Sequence, residues 1–411
     1  MMSYILWTVI GVALIYTGGW LFRFAGQKID WPRDNLNIYF RDVGLTEAAG
    51  FILGLVAVYF ICHYYFIVES TFFRWAVQGF IIAAIAAYAF WWFGKLVGTE
   101  ASRKLFHQMP LTAAFGILVI LIYIILAIFA GAIAPHGQED IFEKINLLPG
   151  GDVATGGDPA FPLGTDQLGR DLLSRLIYGA QNTVGIAFVT TLLAFFIGTT
   201  IGFLAATMGG WIDQVASRAV DALMAIPQLI FALLLMTIAT AWAGSDKTLV
   251  TLYMIIIIAV LDSTRVFRLA RAVGLNIVVM DYIEAAKVRG EKLSYLIFSE
   301  ILPNATAPLL AEFGLRFCFV FLTIAALSFL GIGIQPPLAD WGTMVRDLSQ
   351  FINFAQFSPL TAALPLMAAG AIALLTVAVN FVVDWMLQKT SGLKECKRSF
   401  QAVLFTVVPV R

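Results

Sequence analysis

Few residues in this chain could do chemistry, and their spacing argues against most of it. The segment GTDQLGRD at 164–171 has the glycines and acids of a phosphate loop. A phosphate cradle needs a lysine for the phosphates and a serine or threonine for magnesium. Arg170 and Asp171 stand in those places, and Asp166 and Asp171 would repel phosphate. The expected structure is a turn and a short amphipathic helix, with acids and arginines pairing locally. Cys62, Cys318 and Cys396 are too far apart for a metal site or a disulfide framework and read as small apolar fillers. His63, His107 and His136 are isolated. No HExxH, CxxC, GxSxG or GxGxxG pattern occurs. The sequence therefore predicts no catalytic residue, no metal and no enzymatic activity. Glu312 and Arg316 remain: they are four apart in an apolar run, so they can neutralise each other on one helix face. Such an intramembrane ion pair faces the bundle interior or a water-filled path.

The elements that hold these residues are membrane spans. The chain has 411 residues, of which 60% are hydrophobic and 13% charged, with no net charge. Soluble domains are about 45–50% apolar and about 25% charged. Neutrality gives no sign of a nucleic-acid partner. Runs long enough to cross a bilayer fall at 4–24, 48–68, 74–94, 111–134, 179–207, 219–243, 248–264, 306–330 and 361–387. They are apolar throughout, which excludes barrel strands. Basic residues favour the cytoplasmic side, so the chain threads with its N-terminus outside and its C-terminus inside. Residues 135–175 and 331–360 then form the outer connections. Arg218 and Asp221 have the spacing of a helix-end pair, and Pro227 can kink the run 219–243. Arg265, Arg268 and Arg271 form a basic face suited to anionic lipid or to acids of a partner.

The polar stretch 281–304, DYIEAAKVRGEKLSYLIFSEILPN, lies on the cytoplasmic side between two apolar runs. Its first half has helix-forming residues that end at Gly290, which can take the left-handed backbone that stops a helix. Its second half places Leu293, Leu296, Ile297 and Ile301 on one helical face. Pro303 can open the next helix. Two short helices with a glycine bend suit docking into a groove on a soluble partner.

Glu284, Ala285, Ala286, Gly290, Leu302 and Pro303 resemble the EAA signature of inner-membrane permeases of binding-protein-dependent ABC importers. One departure is Glu300, where the signature has isoleucine. Gly164, Thr165, Asp166, Gly169, Arg170, Asp171 and Arg175 resemble the outer segment of the oligopeptide, dipeptide and nickel permease subfamily. LSFLGIGIQPPLADWGTMV at 327–345 resembles that subfamily's outer loop. The resemblance covers about 111–387. It implies an all-α, polytopic transmembrane helical bundle: a type I ABC importer permease core of six helices, with about three extra N-terminal helices. The domains expected are 1–110, extra transmembrane segments; 111–390, the permease domain; and 391–411, a cytoplasmic tail. The implied function is an ATP-driven importer subunit for peptides or related solutes, forming half of the translocation pathway. The implied partners are a second permease subunit, two ATP-binding subunits that carry ATP and magnesium, and a periplasmic solute-binding protein. A nickel or opine-like substrate stays open. An ion-gradient-driven transporter would instead show inverted repeats with matched broken helices, and no such pairing appears.

Overall fold

The computed structural model describes residues 71–96, 100–151, 153, 156–354 and 359–390. The chain divides into two compact units, Met1–Phe80 and Ile81–Arg411, and the second holds the features below. The described residues contain helices and no strand. In order these are α1 (Thr71–Leu96), α2 (Glu100–Gln108), α3 (Leu111–Ile128), α4 (Ala130–Ile133), α5 (Leu172–Gly179), α6 (Gly185–Met208), α7 (Gly210–Met224) and α8 (Gln228–Ala243). Then follow α9 (Lys247–Val278), α10 (Asp281–Val288), α11 (Leu293–Tyr295), α12 (Leu302–Phe329), α13 (Trp341–Leu348) and α14 (Pro359–Thr390). A π turn, Ala180–Val184, joins α5 to α6, and another, Leu296–Ile301, joins α11 to α12.

Five described helices are long and apolar enough to cross a membrane, or six if the bent pair α7 and α8 counts as one. These six correspond to the expected core. The runs 4–24 and 48–68 lie outside the described residues, and 74–94 falls on α1. From Phe90 onward, α1 contributes to a cluster around Met109, Ala113 and Ala114, with Leu105, Phe106, Ile117 and Trp385. Trp91 Nε1 donates to the Met109 carbonyl at 3.0 Å.

Two expected spans are corrected. The run 219–243 is not one rod: α7 and α8 meet at 89°. Pro227 is extended, with ψ 124°, and a proline there cannot continue the helix. α7 carries Asp213, Arg218 and Asp221 and has no buried residue. The run 248–264 is part of a much longer helix, α9, of 32 residues. Two of the three arginines of the basic face that made it look short are paired across helices. Asp213 pairs with Arg271, and Asp221 with Arg268 at 2.6 Å. The expected Arg218–Asp221 pair is therefore not formed; Arg218 is exposed. Across-helix geometry offers Asp221 a better partner than its neighbour three residues back.

α6 and α9 form the closest seam in the bundle. A side chain at Gly198 would meet Val266 and the Ser263 carbonyl, and one at Gly202 would meet Ala270 and the Phe267 carbonyl. One at Gly274 would meet Ala206. Small residues spaced four apart let two backbones approach this way in lipid, where packing rather than water drives association. α14 lies along α3, with Gly116 against the Ala378 carbonyl. At the outer end Trp341 is 2% exposed and donates from Nε1 to the Leu176 carbonyl at 2.9 Å. It meets Tyr123 and Phe321 edge-on, at 5.5 and 6.2 Å between centroids. Three aspartates cap the outer helix starts. Asp171 accepts from Leu173 and Ser174, Asp246 from Thr248 and Leu249, and Asp340 from Thr343. Each satisfies backbone N–H groups that a helix start leaves open.

Candidate functional site

The cytoplasmic stretch is built from both sides. Ile283 and Ala286 of α10 are fully buried, against a cluster that contains Phe203, Ala270, Ile277, Ile297, Ile301 and Leu309. Asp281 and Glu284 fall in the first turn, where the helix dipole favours negative charge. The helix ends in a Schellman motif: Glu291 N donates to Ala286 O at 3.2 Å and Gly290 N to Lys287 O at 3.0 Å. Gly290 has φ +77°, with open space where a side chain would be. Its constraint is therefore one of backbone conformation, not of crowding.

Helical segments do lie on both sides of the Gly290 bend, but the second runs on into the span. Leu293–Phe329 is one continuous rod of 37 residues, bridged by the π turn. Pro303 stands in the first turn of α12, as expected. It lacks the N–H that would bond the preceding turn, and the wider turn before it absorbs the mismatch. Asn304 Nδ2 donates to the Glu300 carbonyl at 2.7 Å.

Of the six signature positions, Glu284, Ala285, Gly290 and Pro303 are exposed, Leu302 is half-buried and Ala286 is buried. Around them the surface is unusually apolar. Val288 is 83% exposed and Val279 78%, with Tyr282, Tyr295 and Phe298 also open.

The outer motif is a compact knot. Gly164 and Gly169 have φ of +78° and +75° and lie against the carbonyls of Leu147 and Phe142. Thr165 donates to the Lys144 carbonyl at 2.8 Å and accepts from Leu147 N at 3.0 Å. Asp166 accepts from the backbone of Leu168 and Arg170, both at 2.9 Å, and from Arg170 Nε at 2.7 Å. Asp171 caps α5 and sits 3.1 Å from His136 Nδ1, while the His136 ring stacks on Phe161. His136 is thus tied into the knot, which nothing in its sequence neighbourhood announced. With the acids turned onto backbone N–H groups, no anion cradle forms here. Arg175 is 3% exposed, and its Nη1 has no acceptor. Nearby, an exposed Lys144–Asp158 pair holds the Asp158 carboxyl below its ordinary range.

Inside the bundle Glu312 and Arg316 pair at 2.7 Å. A third member, missed from the sequence, is Asp262 of α9. It is fully buried and 3.9 Å from Arg316, with the Gln228 side chain of α8 beside it. A lone aspartate in an apolar run was the available signal. Asp340, also missed, accepts from Thr183 Oγ1 at 2.8 Å as well as from Thr343, and burial pushes its carboxyl above its ordinary range. Among the described residues no group of His, Cys, Asp and Glu could hold a metal.

Comparison with known proteins places this geometry. Residues 198–391 match the family model described as "Binding-protein-dependent transport system inner membrane component". The chain is 35% identical over 245 residues to the dipeptide transport system permease protein DppC of Haemophilus influenzae, covering 60% of this chain and 80% of that protein. It is 34% identical over 240 residues to the di/tripeptide transport system permease protein DppC of Pseudomonas aeruginosa (58% and 76% covered). It is 35% identical over 260 residues to the peptide transport system permease protein SapC of Escherichia coli O6:H1 (63% and 83% covered). With six core helices, the outer motif and the cytoplasmic stretch all within or beside the matched region, the chain belongs to the binding-protein-dependent transport system inner-membrane family and is a multi-pass inner-membrane permease of an ABC importer.

Proposed function

We propose that this permease imports peptides or closely related solutes, forms half of the translocation pathway with a second permease subunit, and takes its energy from two separate ATP-binding subunits. Those subunits hold ATP and magnesium; this chain hydrolyses nothing. A periplasmic solute-binding protein delivers the solute to the outer loops. The coupling element is the stretch 281–303. The observation that carries this is the contrast across α10: Ile283 and Ala286 are fixed beneath it, while Val288, 83% exposed, and Glu284 stand outward beside the Gly290 turn. A rigidly held apolar surface of that kind fits a helix seated in a groove of a soluble subunit. The relatives named for peptide transport support the solute class. The appended segments 1–110 and the tail 391–411 are outside this scheme.

The test is cross-linking in membranes. A cysteine at Val288 should form a disulfide or short-linker product with a cysteine in the groove of the ATP-binding subunit, and the yield should change with ATP. A cysteine at Leu121, which is exposed on a span, should not. Equal yields from the two positions would remove α10 as the coupling element.

A further inference from the structure

We infer that the cavity at the α7–α8 bend is a site for an anionic phospholipid of the inner leaflet, with Arg265 as the partner of its phosphate. The cavity holds about 120 Å³ and is lined by Met224, Ile226, Pro227, Leu261, Thr264 and Arg265 among others; no acid lines it. Arg265 is the arginine of the basic face that the bundle leaves over. Arg268 is held by Asp221 and Arg271 by Asp213. Among the described residues no acid stands at ion-pair distance from Arg265, whose guanidinium lies 5.7 Å from the Phe319 ring centroid. Asp262, three residues back, is within electrostatic reach, but its ion-pair contact is with Arg316, at 3.9 Å. Thr264 Oγ1 is turned back onto the Leu261 carbonyl at 2.7 Å. The wall is therefore apolar with one half-buried guanidinium, whose planar fork of N–H donors matches a phosphate.

Depth selects a lipid over a soluble anion. From Lys247, at the outer start of α9, to Arg265 is about 27 Å along the helix. α8 has 16 residues and so measures about 24 Å from the bend to its outer end. Both lengths fall just short of a hydrocarbon core of about 30 Å, which sets the cavity at the inner headgroup boundary. α7 agrees with that level. It turns by 89° from α8, so it runs along the membrane plane where α8 crosses it. Asp213 and Asp221 on one side of α7 tie it to α9, while Trp211, Val215 and Ala222 on the opposite side are exposed. A helix with its polar side held by the bundle and an open apolar side carrying tryptophan suits the boundary between headgroups and acyl chains. Ile226 and Ile230, exposed below the bend, offer the acyl chain a track along α8. An unpaired basic residue at this level attracts the anionic lipids of the cytoplasmic leaflet.

The experiment uses the complete importer in phosphatidylcholine nanodiscs doped with a phosphatidylglycerol that carries a photoactivatable group next to its headgroup, or with the phosphatidylcholine of the same build. Adducts are mapped by mass spectrometry. The phosphatidylglycerol probe should mark the segment 223–230 several-fold more than its zwitterionic counterpart. Arg265→Gln should lower those adducts roughly fivefold, the loss of one basic contact at the leaflet surface, and Arg265→Lys should keep most of them. Adducts on α3 around Ile125, which is exposed on a span, report surrounding lipid and insertion; they should depend on neither headgroup nor variant. Equal marking of 223–230 by the two lipids, or Arg265→Gln at the wild-type level, overturns the site. Displacement of the probe by millimolar inorganic phosphate overturns the lipid as occupant and assigns the cavity to a soluble phosphate. Marking of α3 with none at 223–230 shows the bend covered by protein in the assembled importer and also overturns the proposal.

Discussion

Removing the Arg316 charge should test the buried network most sharply. Asp262 is fully buried on α9, and among the described residues its cationic neighbour within ion-pair distance is Arg316 at 3.9 Å, itself 10% exposed in its side chain. At that separation and an effective dielectric of about 20, the attraction is about 4 kcal/mol. That is close to the loss of about 3–5 kcal/mol seen when one member of a buried pair is removed. Arg316→Leu strands Asp262 and should destabilise by that amount. Asp262→Asn should cost much less, about 1 kcal/mol, because it removes the buried charge, its amide oxygen can still accept, and Arg316 keeps Glu312 at 2.7 Å. The double variant should recover about 2 kcal/mol relative to Arg316→Leu alone, the signature of direct coupling in a double-mutant cycle. The assay is reversible unfolding of the purified permease in mixed micelles, with membrane level as a parallel readout. If Arg316→Leu unfolds with the wild type, or Asp262→Asn gives no rescue, the network does not bear on stability as argued.

Three further outcomes are expected. Gly290→Val forces a side chain into a left-handed backbone at a local cost of about 1 kcal/mol or more; insertion should be normal, while ATPase co-purification and stimulated hydrolysis fall, whereas Leu121→Ala, on the exposed face of a span, should leave both near wild type. Gly202→Val drives a branched side chain into Ala270 and the Phe267 carbonyl and should destabilise by about 1–3 kcal/mol, read as a lowered thermal midpoint of the purified protein. Single cysteines at the exposed positions Glu139 and Asn353, in a background lacking Cys62, Cys318 and Cys396, should react with an impermeant thiol reagent from outside, and one at Lys287 only after permeabilisation; the reverse pattern would invert the topology.

The six-helix core was legible because apolar runs and their breakers are local signals. The Gly290 turn was legible for the same reason: a left-handed stop follows from one residue type beside a helix-forming run. What stayed hidden depends on neighbours distant in sequence. Asp213 meets Arg271 and Asp221 meets Arg268, 58 and 47 residues apart, so a reading limited to one helix paired Asp221 with Arg218. Asp262 stood out only as a lone aspartate in an apolar run, and its counter-charge, Arg316, sits on another span. Pro303 told only part: its local chemistry says helix start, and it stands in the first turn of α12, but the π turn at Leu296–Ile301, with Ile297 and Ile301 packed in the core, joins that helix to the one before it.

The continuous rod Leu293–Phe329 has a mechanical consequence. Its 37 residues span about 55 Å, nearly twice the roughly 30 Å hydrocarbon core. Such a rod acts as a lever: a tilt of about 10° about its middle would swing each tip by roughly 5 Å in opposite directions. One tip carries the exposed cytoplasmic surface, and the other leads through the loop at 330–340 into α13. Arg316 lies between the tips, tethered to Asp262 on the neighbouring span, where a fulcrum would be. A push of a few ångströms on the inner face would then reach the outer mouth without any helix having to unwind.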